Sequence, residues 1–117
     1  MGDDLEECRK PVRAQLALYI GGMGARDKNY YKDYIGRLGY EGAAADIQNL
    51  FLSGKRAEAE AAVPDDLIDA VALVGPAERI VDRLEAWKEA AKKGHVTSLL
   101  VGRPSVEAMR VIAEAVL

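Results

Sequence analysis

A glycine-rich run, Gly21-Gly22-Met23-Gly24, is the feature that most restricts how this chain can fold. The residues before it carry apolar side chains at helical spacing, which predicts an amphipathic helix from Asp3 to Ile20. Asp3 and Glu6 form a capping pair at its start. Pro11 predicts either a kink or a true start near that position. Because glycine readily takes the left-handed conformation of a helix C-cap, the run is expected to end this helix.

Further helices are predicted downstream, each bounded by a capping residue, a glycine or a proline. Asp27 is the expected N-cap of the second helix, Gly39 is expected to end it, and Ser105 is the expected N-cap of the last helix. The predicted helices cover Lys28 to Leu38, Glu41 to Leu52, Lys55 to Ala62, Leu67 to Ala70, Ala77 to Lys93 and Val106 to Val116. The chain is therefore expected to be mostly α-helical.

One strand is predicted, from Val96 to Val101, because this run is almost continuously apolar, as in a strand buried on both faces. A buried strand needs neighbours for its backbone donors and acceptors. The predicted strand would pair with the apolar run from Val71 to Val74, with a second copy of the chain across a dimer, or with strands that lie outside this chain. These three alternatives stay open at the level of sequence.

Composition restricts the class of protein. The chain has 117 residues, of which 50% are hydrophobic and 30% charged, as in a single globular domain. A net charge of -3 with interspersed signs argues against a nucleic-acid or membrane partner. The single cysteine, Cys8, cannot form an internal disulfide, and no apolar run approaches the length of a membrane span. A cytoplasmic location is therefore expected.

Seven sequence runs, in three groups, carry a family resemblance. The runs are Leu18 to Gly24 with Lys28 to Tyr31 and Leu38 to Tyr40, Ala62 to Asp69 with Leu73 to Pro76, and Arg83 to Trp87 with Val96 to Val101. In these runs the chain resembles the C-terminal part of luciferase-like monooxygenases, and within them the deazaflavin-dependent oxidoreductases that use coenzyme F-420. The similarity extends over nearly the whole chain, in the same order and at similar spacing.

The resemblance implies a (β/α)8 TIM barrel, a fold of about 250 residues. This chain would then be a single partial domain over residues 1–117, mostly α with one short buried strand. Residues 1–63 would form a helical insertion region. Residues 64–117 would form the last helix-strand-helix unit of the barrel.

The same resemblance implies hydride transfer between coenzyme F-420, with FMN as the alternative cofactor, and a small organic substrate. No segment matches the earlier barrel strands, so no catalytic residue is assigned and the chain is not expected to turn over alone. It is also an alternative that this chain alone binds no cofactor. The expected partner is the missing barrel portion or a second copy. The alternative interpretation is that the chain is not part of an enzyme but a stand-alone helical module, which acts through self-association or protein interaction.

Candidate contacts follow from the resemblance. Arg26 and Lys28, beside the glycine run, are expected to contact an anionic cofactor tail near the start of the second helix, unless they belong to an ordinary charged turn. Arg103 follows the strand and would lie at the barrel mouth, unless it is a solvated loop arginine. Tyr30 and Tyr31 are expected to line a substrate pocket, with one core and one surface tyrosine as the alternative.

Two apparent signals are set aside. The glycine run follows a helix, whereas a dinucleotide-binding loop follows a strand, so it is interpreted as a helix-ending turn. Cys8 and His95 are single residues far apart in the sequence, which is not the spacing of a metal site. No metal ligand is therefore assigned.

Overall fold

A computed structural model describes residues 1–102 and 104–117, and helices account for most of these residues. The α-helices are α1 Leu5–Gly22, α2 Tyr30–Ile35, α3 Glu41–Leu52, α4 Arg56–Ala61, α5 Asp65–Val71, α6 Ala77–Lys92 and α7 Val106–Val116, with a π-helical turn at Gly36–Tyr40 between α2 and α3. The chain divides into two compact units. The middle unit is Arg9–Ala72, and the terminal unit is Met1–Cys8 together with Leu73–Leu117.

The middle unit has an aliphatic core to which all five of its helices contribute. Gly39, with φ 100°, lies inside the π-helical turn and makes the kink between α2 and α3, in a backbone conformation that few other residues adopt without strain. The bounds of α3 agree with the predicted helix from Glu41 to Leu52. The buried apolar side chains are Ala17, Ile20, Ile35, Ala44, Ile47, Ala59, Val63, Leu67 and Ile68.

Gly21 and Gly22 are the closing residues of α1, and they lie against the side chain of Phe51 on α3. A Cβ atom at Gly21 would lie 2.4 Å from the Cβ of Phe51, and one at Gly22 would lie 2.6 Å from its Cε1. Neither glycine has a positive φ. The prediction that they form a left-handed cap is therefore wrong. Their lack of a side chain permits the close approach of α1 and α3.

A charged cluster joins α1 to α5. The buried guanidinium of Arg9 donates to Asp69 through Nε, 3.3 Å from Oδ1, and Nη2, 2.7 Å from Oδ2. Arg13 donates to the carbonyl oxygen of Val63 at 2.8 Å and to the carboxylate of Asp65. Because a buried guanidinium without a carboxylate carries a large desolvation cost, this pairing favours one placement of α5 on α1.

The terminal unit has a smaller core, formed by Val74, Ile80 and Leu84. Its two long helices, α6 and α7, contact each other. The first turn of α1 is capped by Asp4, whose Oδ1 accepts from the Glu7 amide at 3.1 Å. The prediction that Asp3 caps this helix is therefore off by one residue.

The predicted strand from Val96 to Val101 is wrong, since the structure shows no strand in residues 1–102 and 104–117. The side chain of Leu100 is 94% exposed, not buried. The physical reason is that the described residues offer this segment no second strand, and a lone strand leaves its backbone groups unpaired. The expectation of one short buried strand and of a piece of a (β/α)8 barrel is corrected to an arrangement of helices, connected by turns, with no strand among the described residues.

Substitution of Gly21 by alanine is expected to lower the free energy of unfolding by about 1–2 kcal/mol. The clash with Phe51, about 1–3 kcal/mol for an overpacked contact, exceeds the roughly 0.5–1 kcal/mol that alanine gains over glycine inside a helix. Urea unfolding followed by circular dichroism measures the change.

Gly42→Ala is the matched control, because Gly42 also lies in a helix but has no atom within 4 Å of an added Cβ. It is expected to leave the stability unchanged or to raise it by up to about 1 kcal/mol. Equal effects of the two substitutions would contradict the role assigned to Gly21.

Candidate functional site

Four tyrosine rings gather in the middle unit, where the end of α1 meets α2. Tyr19 comes from α1, and Tyr30, Tyr31 and Tyr34 come from α2. The rings of Tyr19 and Tyr31 have centroids 4.7 Å apart, and those of Tyr30 and Tyr31 meet edge-on at 5.5 Å. The rings of Tyr30 and Tyr34 are nearly parallel at 6.2 Å. Edge-to-face and offset arrangements of this kind are the favourable ones for aromatic pairs.

These rings border a cavity of about 330 Å³, which we call the tyrosine cavity. None of the residues that line it is charged, and its polar side-chain atoms come from the Gln15 amide and the tyrosine hydroxyls. A largely apolar and aromatic lining with few polar groups is typical of small-molecule sites. The lining residues are Val12, Gln15, Leu16, Tyr19, Ile20, Tyr30, Tyr31, Tyr34, Ile35, Val71 and Ala72.

Asn29 fixes the two helices that carry the rings. Its side chain is buried, at 1% exposure. Nδ2 donates to the carbonyl oxygen of Ile20 at 2.7 Å and to that of Tyr19 at 3.3 Å, while Oδ1 accepts from the Lys32 amide at 2.9 Å. One amide thus satisfies carbonyl groups near the end of α1 and caps α2. The prediction that Asp27 caps the second helix is therefore wrong.

The turn that joins α1 to α2 is held by α3. The buried side chain of Gln48 donates to the carbonyl oxygen of Arg26 at 3.1 Å. The guanidinium of Arg26 donates to Oδ1 of the neighbouring Asn49. Inside the turn, the Lys28 amide donates to the carbonyl oxygen of Ala25 at 3.0 Å. The backbone of this exposed turn is therefore well anchored.

The predicted site residues separate into two groups in the structure. Tyr30 and Tyr31 both line the tyrosine cavity, and neither is buried in the core, since Tyr30 is 67% and Tyr31 37% exposed. Arg26 and Lys28 lie on the exposed turn and do not line that cavity. Arg103 lies outside the described residues. Contact of any of these side chains with a cofactor or substrate stays a prediction.

Sequence reasoning missed four residues of this site: Gln15, Tyr19, Asn29 and Tyr34. Two of them had a usable signal. Tyr34 is four residues after Tyr30, the spacing at which helical side chains are neighbours. Asn29 is a strongly favoured N-cap residue type directly before a helical pattern. Nothing in the sequence places Gln15 or Tyr19 beside α2, because that depends on the angle between two helices.

The fifth tyrosine, Tyr40, lies outside the cavity and has a different environment. Its hydroxyl donates to Oδ2 of Asp66 at 3.1 Å. Partial desolvation of the hydroxyl, together with the hydrogen bond to Asp66 and its negative charge, raises the pKa of Tyr40 above the ordinary value. Tyr40 is therefore a suitable control tyrosine for measurements on the cavity.

In residues 1–102 and 104–117, no three side chains of His, Cys, Asp or Glu are grouped so that they could hold a metal ion. None of the helices in these residues combines the length and apolar character that a membrane crossing requires.

Replacement of Asn29 is expected to destabilise the middle unit. Asn29→Ala removes the cap and leaves carbonyl groups near the end of α1 unpaired, which costs about 1–3 kcal/mol. Asn29→Asp keeps the acceptor for the Lys32 amide but places a carboxylate beside two carbonyl oxygens, so it is also destabilising. Near-ultraviolet circular dichroism of the tyrosines and urea unfolding report the two effects.

Asp46→Ala is the control, because Asp46 is an exposed polar residue on α3 of the same unit. Its substitution is expected to change stability by less than about 0.5 kcal/mol. If Asn29→Asp kept wild-type stability and wild-type tyrosine dichroism, the donor role of the Asn29 amide would be refuted.

Comparison with known proteins places the chain in a family. The family model described as luciferase-like monooxygenase matches residues 1–93. The chain is also similar to a curated protein of Mycobacterium tuberculosis (strain ATCC 25618 / H37Rv), whose name reads "Putative coenzyme F420-dependent oxidoreductase". The two are 33% identical over 114 residues, which is 97% of this chain and 32% of that relative. No solved structure matches the chain. The chain belongs to the luciferase-like monooxygenase family.

Proposed function

We propose that this chain serves in a deazaflavin-dependent oxidoreductase, in which a hydride passes between coenzyme F-420 and a small organic substrate. The observation that carries the proposal is the 33% identity, over 97% of the chain, to a relative whose name specifies coenzyme F-420. The chain spans about a third of that relative's length. We therefore assign it a binding role and no turnover by itself.

The exposed turn at Arg26 and Lys28 fits the anionic tail of such a cofactor. Two cations lie two residues apart on a turn whose backbone is held by Gln48. Asn49 accepts from the Arg26 guanidinium, which orients one of the two cations. The same pair would also meet the phosphate of FMN, so it does not choose between the two cofactors. Arg103, outside the described residues, stays a third proposed contact.

The tyrosine cavity is the proposed site for the substrate. It begins at Tyr30, two residues after Lys28, so the charged turn and the aromatic cavity adjoin at the start of α2. Bound deazaflavin would supply the hydride donor or acceptor. The residues of this chain would bind the substrate and orient it through rings that Asn29 holds in place.

The cofactor proposal is tested by titrating the purified chain with coenzyme F-420 and following the fluorescence of the deazaflavin. The double variant Arg26→Ala/Lys28→Ala is expected to bind about three- to tenfold more weakly, because exposed charge contacts contribute modestly. Binding is also expected to weaken as the salt concentration rises.

Lys55→Ala is the control for charge, since Lys55 is an exposed cation of the same unit and pairs only loosely with Glu58, at 3.8 Å. It should bind like the unchanged chain. Equal affinity of the double variant and the control would remove the turn from the cofactor site. Turnover of F-420 by this chain alone would contradict the assignment of a binding role without catalysis.

A second candidate function is self-association through α7. The observation that favours it is the exposure of apolar side chains on that helix, none of whose residues is buried. Val106 is 80% exposed, Met109 44% and Val116 40%. Exposed apolar surface of this kind marks interaction sites in soluble proteins. The proposed occupant of this face is the same face of a second copy.

Light scattering at increasing protein concentration tests this second candidate. The unchanged chain is expected to form a dimer or a larger oligomer, and Met109→Lys is expected to shift it to the monomer, since a lysine ammonium is costly to desolvate. Glu114→Lys, which adds the same residue at an exposed polar position of α7, is the control and should still associate. A monomer at every concentration would refute self-association.

A further inference from the structure

We infer that the tyrosine cavity takes a neutral aromatic compound of one or two fused rings that carries a hydrogen-bonding substituent, and that Gln15 binds this substituent. The inference rests on the proposed function, because it names the substrate class for the cavity assigned there. Three properties of the cavity carry it: its volume, its absence of charge and the arrangement of its rings.

The volume sets the size of the ligand. At about 330 Å³ the tyrosine cavity is at the lower end of the range of small-molecule sites. A dry apolar cavity of roughly 150 Å³ holds benzene. Twice that volume accommodates two fused six-membered rings or one ring with a short substituent. A larger planar system would extend past Tyr30 into solvent, since this ring is the most exposed of the four.

The lining sets the charge of the ligand. None of the lining side chains carries a charge. An ionised carboxylate that enters such a site loses part of its hydration without gaining a partner of opposite sign, and an ammonium regains only part of its lost hydration energy from the ring faces. A neutral ligand avoids this cost. The cations Arg26 and Lys28 are not among the lining residues, so they do not provide a counter-charge inside the cavity.

The ring arrangement selects aromatic over saturated ligands. Tyr31 lies in the middle of the cluster, tilted by 37° to Tyr19 and almost perpendicular, at 84°, to Tyr30. The cavity wall therefore offers both faces and edges of rings. An aromatic ligand can meet them edge-to-face or offset, each such contact adding about 0.5–1.5 kcal/mol beyond the burial of area.

Gln15 provides the polar recognition. Apart from the tyrosines, Gln15 is the one lining residue whose side chain has hydrogen-bonding atoms. It lies on α1 one helical turn before Tyr19, so it is on the same side of that helix as the ring. Because an amide both donates and accepts hydrogen bonds, it pairs with either a hydroxyl or a carbonyl substituent. Gln15 is thus the specificity-determining residue of this site.

Isothermal titration calorimetry of the full chain with matched probes tests the inference. Naphthol, which is neutral and aromatic, is expected to bind about tenfold more tightly than naphthoate, which is charged, and than decahydronaphthol, its saturated analogue. Tyr31→Leu is expected to abolish the preference for naphthol over decahydronaphthol. Gln15→Leu is expected to weaken naphthol about three- to tenfold while leaving the binding of unsubstituted naphthalene unchanged.

Tyr40→Phe is the control, because Tyr40 does not line the cavity, and it should bind all probes like the unchanged chain. Equal or tighter binding of naphthoate or decahydronaphthol, or a quaternary ammonium that binds more tightly than naphthol, would overturn the assigned class. If Gln15→Leu left the affinity for naphthol unchanged, Gln15 would not belong to the site. Gln15 is exposed, so this variant keeps the fold even if Tyr31→Leu does not.

The assigned ligand class and the proposed cofactor binding can fail independently of each other. If no neutral aromatic probe binds while F-420 binding still depends on Arg26 and Lys28, the ligand class fails and the cofactor proposal stands. If naphthol binds as expected while F-420 does not bind, the aromatic site stands and the cofactor proposal fails.

Discussion

A single buried amide, that of Asn29, is the interaction on which the candidate site depends. It donates to two carbonyl groups near the end of α1 and accepts from the first turn of α2. Both helix ends would otherwise leave backbone groups unpaired away from water. Because Tyr19 precedes one of these ends and Tyr30 follows the other, the hydrogen bonds of Asn29 also determine how the tyrosine rings meet.

The surrounding contacts support that geometry from α3 and α5. Gly21 and Gly22 allow α1 to approach Phe51 closely, and Gln48 and Asn49 hold the turn that contains Arg26. On the other side, Arg9 and its partner Asp69 join α1 to α5. The unusual glycine-rich sequence is thus explained by helix packing. The same packing presents two different surfaces side by side, a charged turn with Arg26, Asp27 and Lys28, and an uncharged aromatic cavity.

Helices were predictable because their signals are local. The bounds of α3 agree with the pattern of apolar residues and the flanking glycines, and Ser105 caps α7 as predicted, since its Oγ accepts from the Ala108 amide. The strand from Val96 to Val101 was not predictable in this way. An apolar run indicates only that a segment prefers burial. A strand forms only when a second strand is available to pair with it. The capping prediction for Asp27 failed because Asn29 has carbonyl partners on α1 that a local pattern does not reveal.

The sequence by itself determined the helical character of the chain, its family and the presence of a charged turn followed by a pair of tyrosines. These properties follow from local spacing, from caps and from similarity over most of the chain. Only the tertiary structure decided that Tyr19 and Gln15 lie beside Tyr30 and Tyr31. It also decided that Gly21 and Gly22 permit the close contact of α1 with Phe51 and do not form a left-handed turn. The reason is physical: a cavity is defined by the distance and angle between helices, which result from side-chain packing across the whole unit.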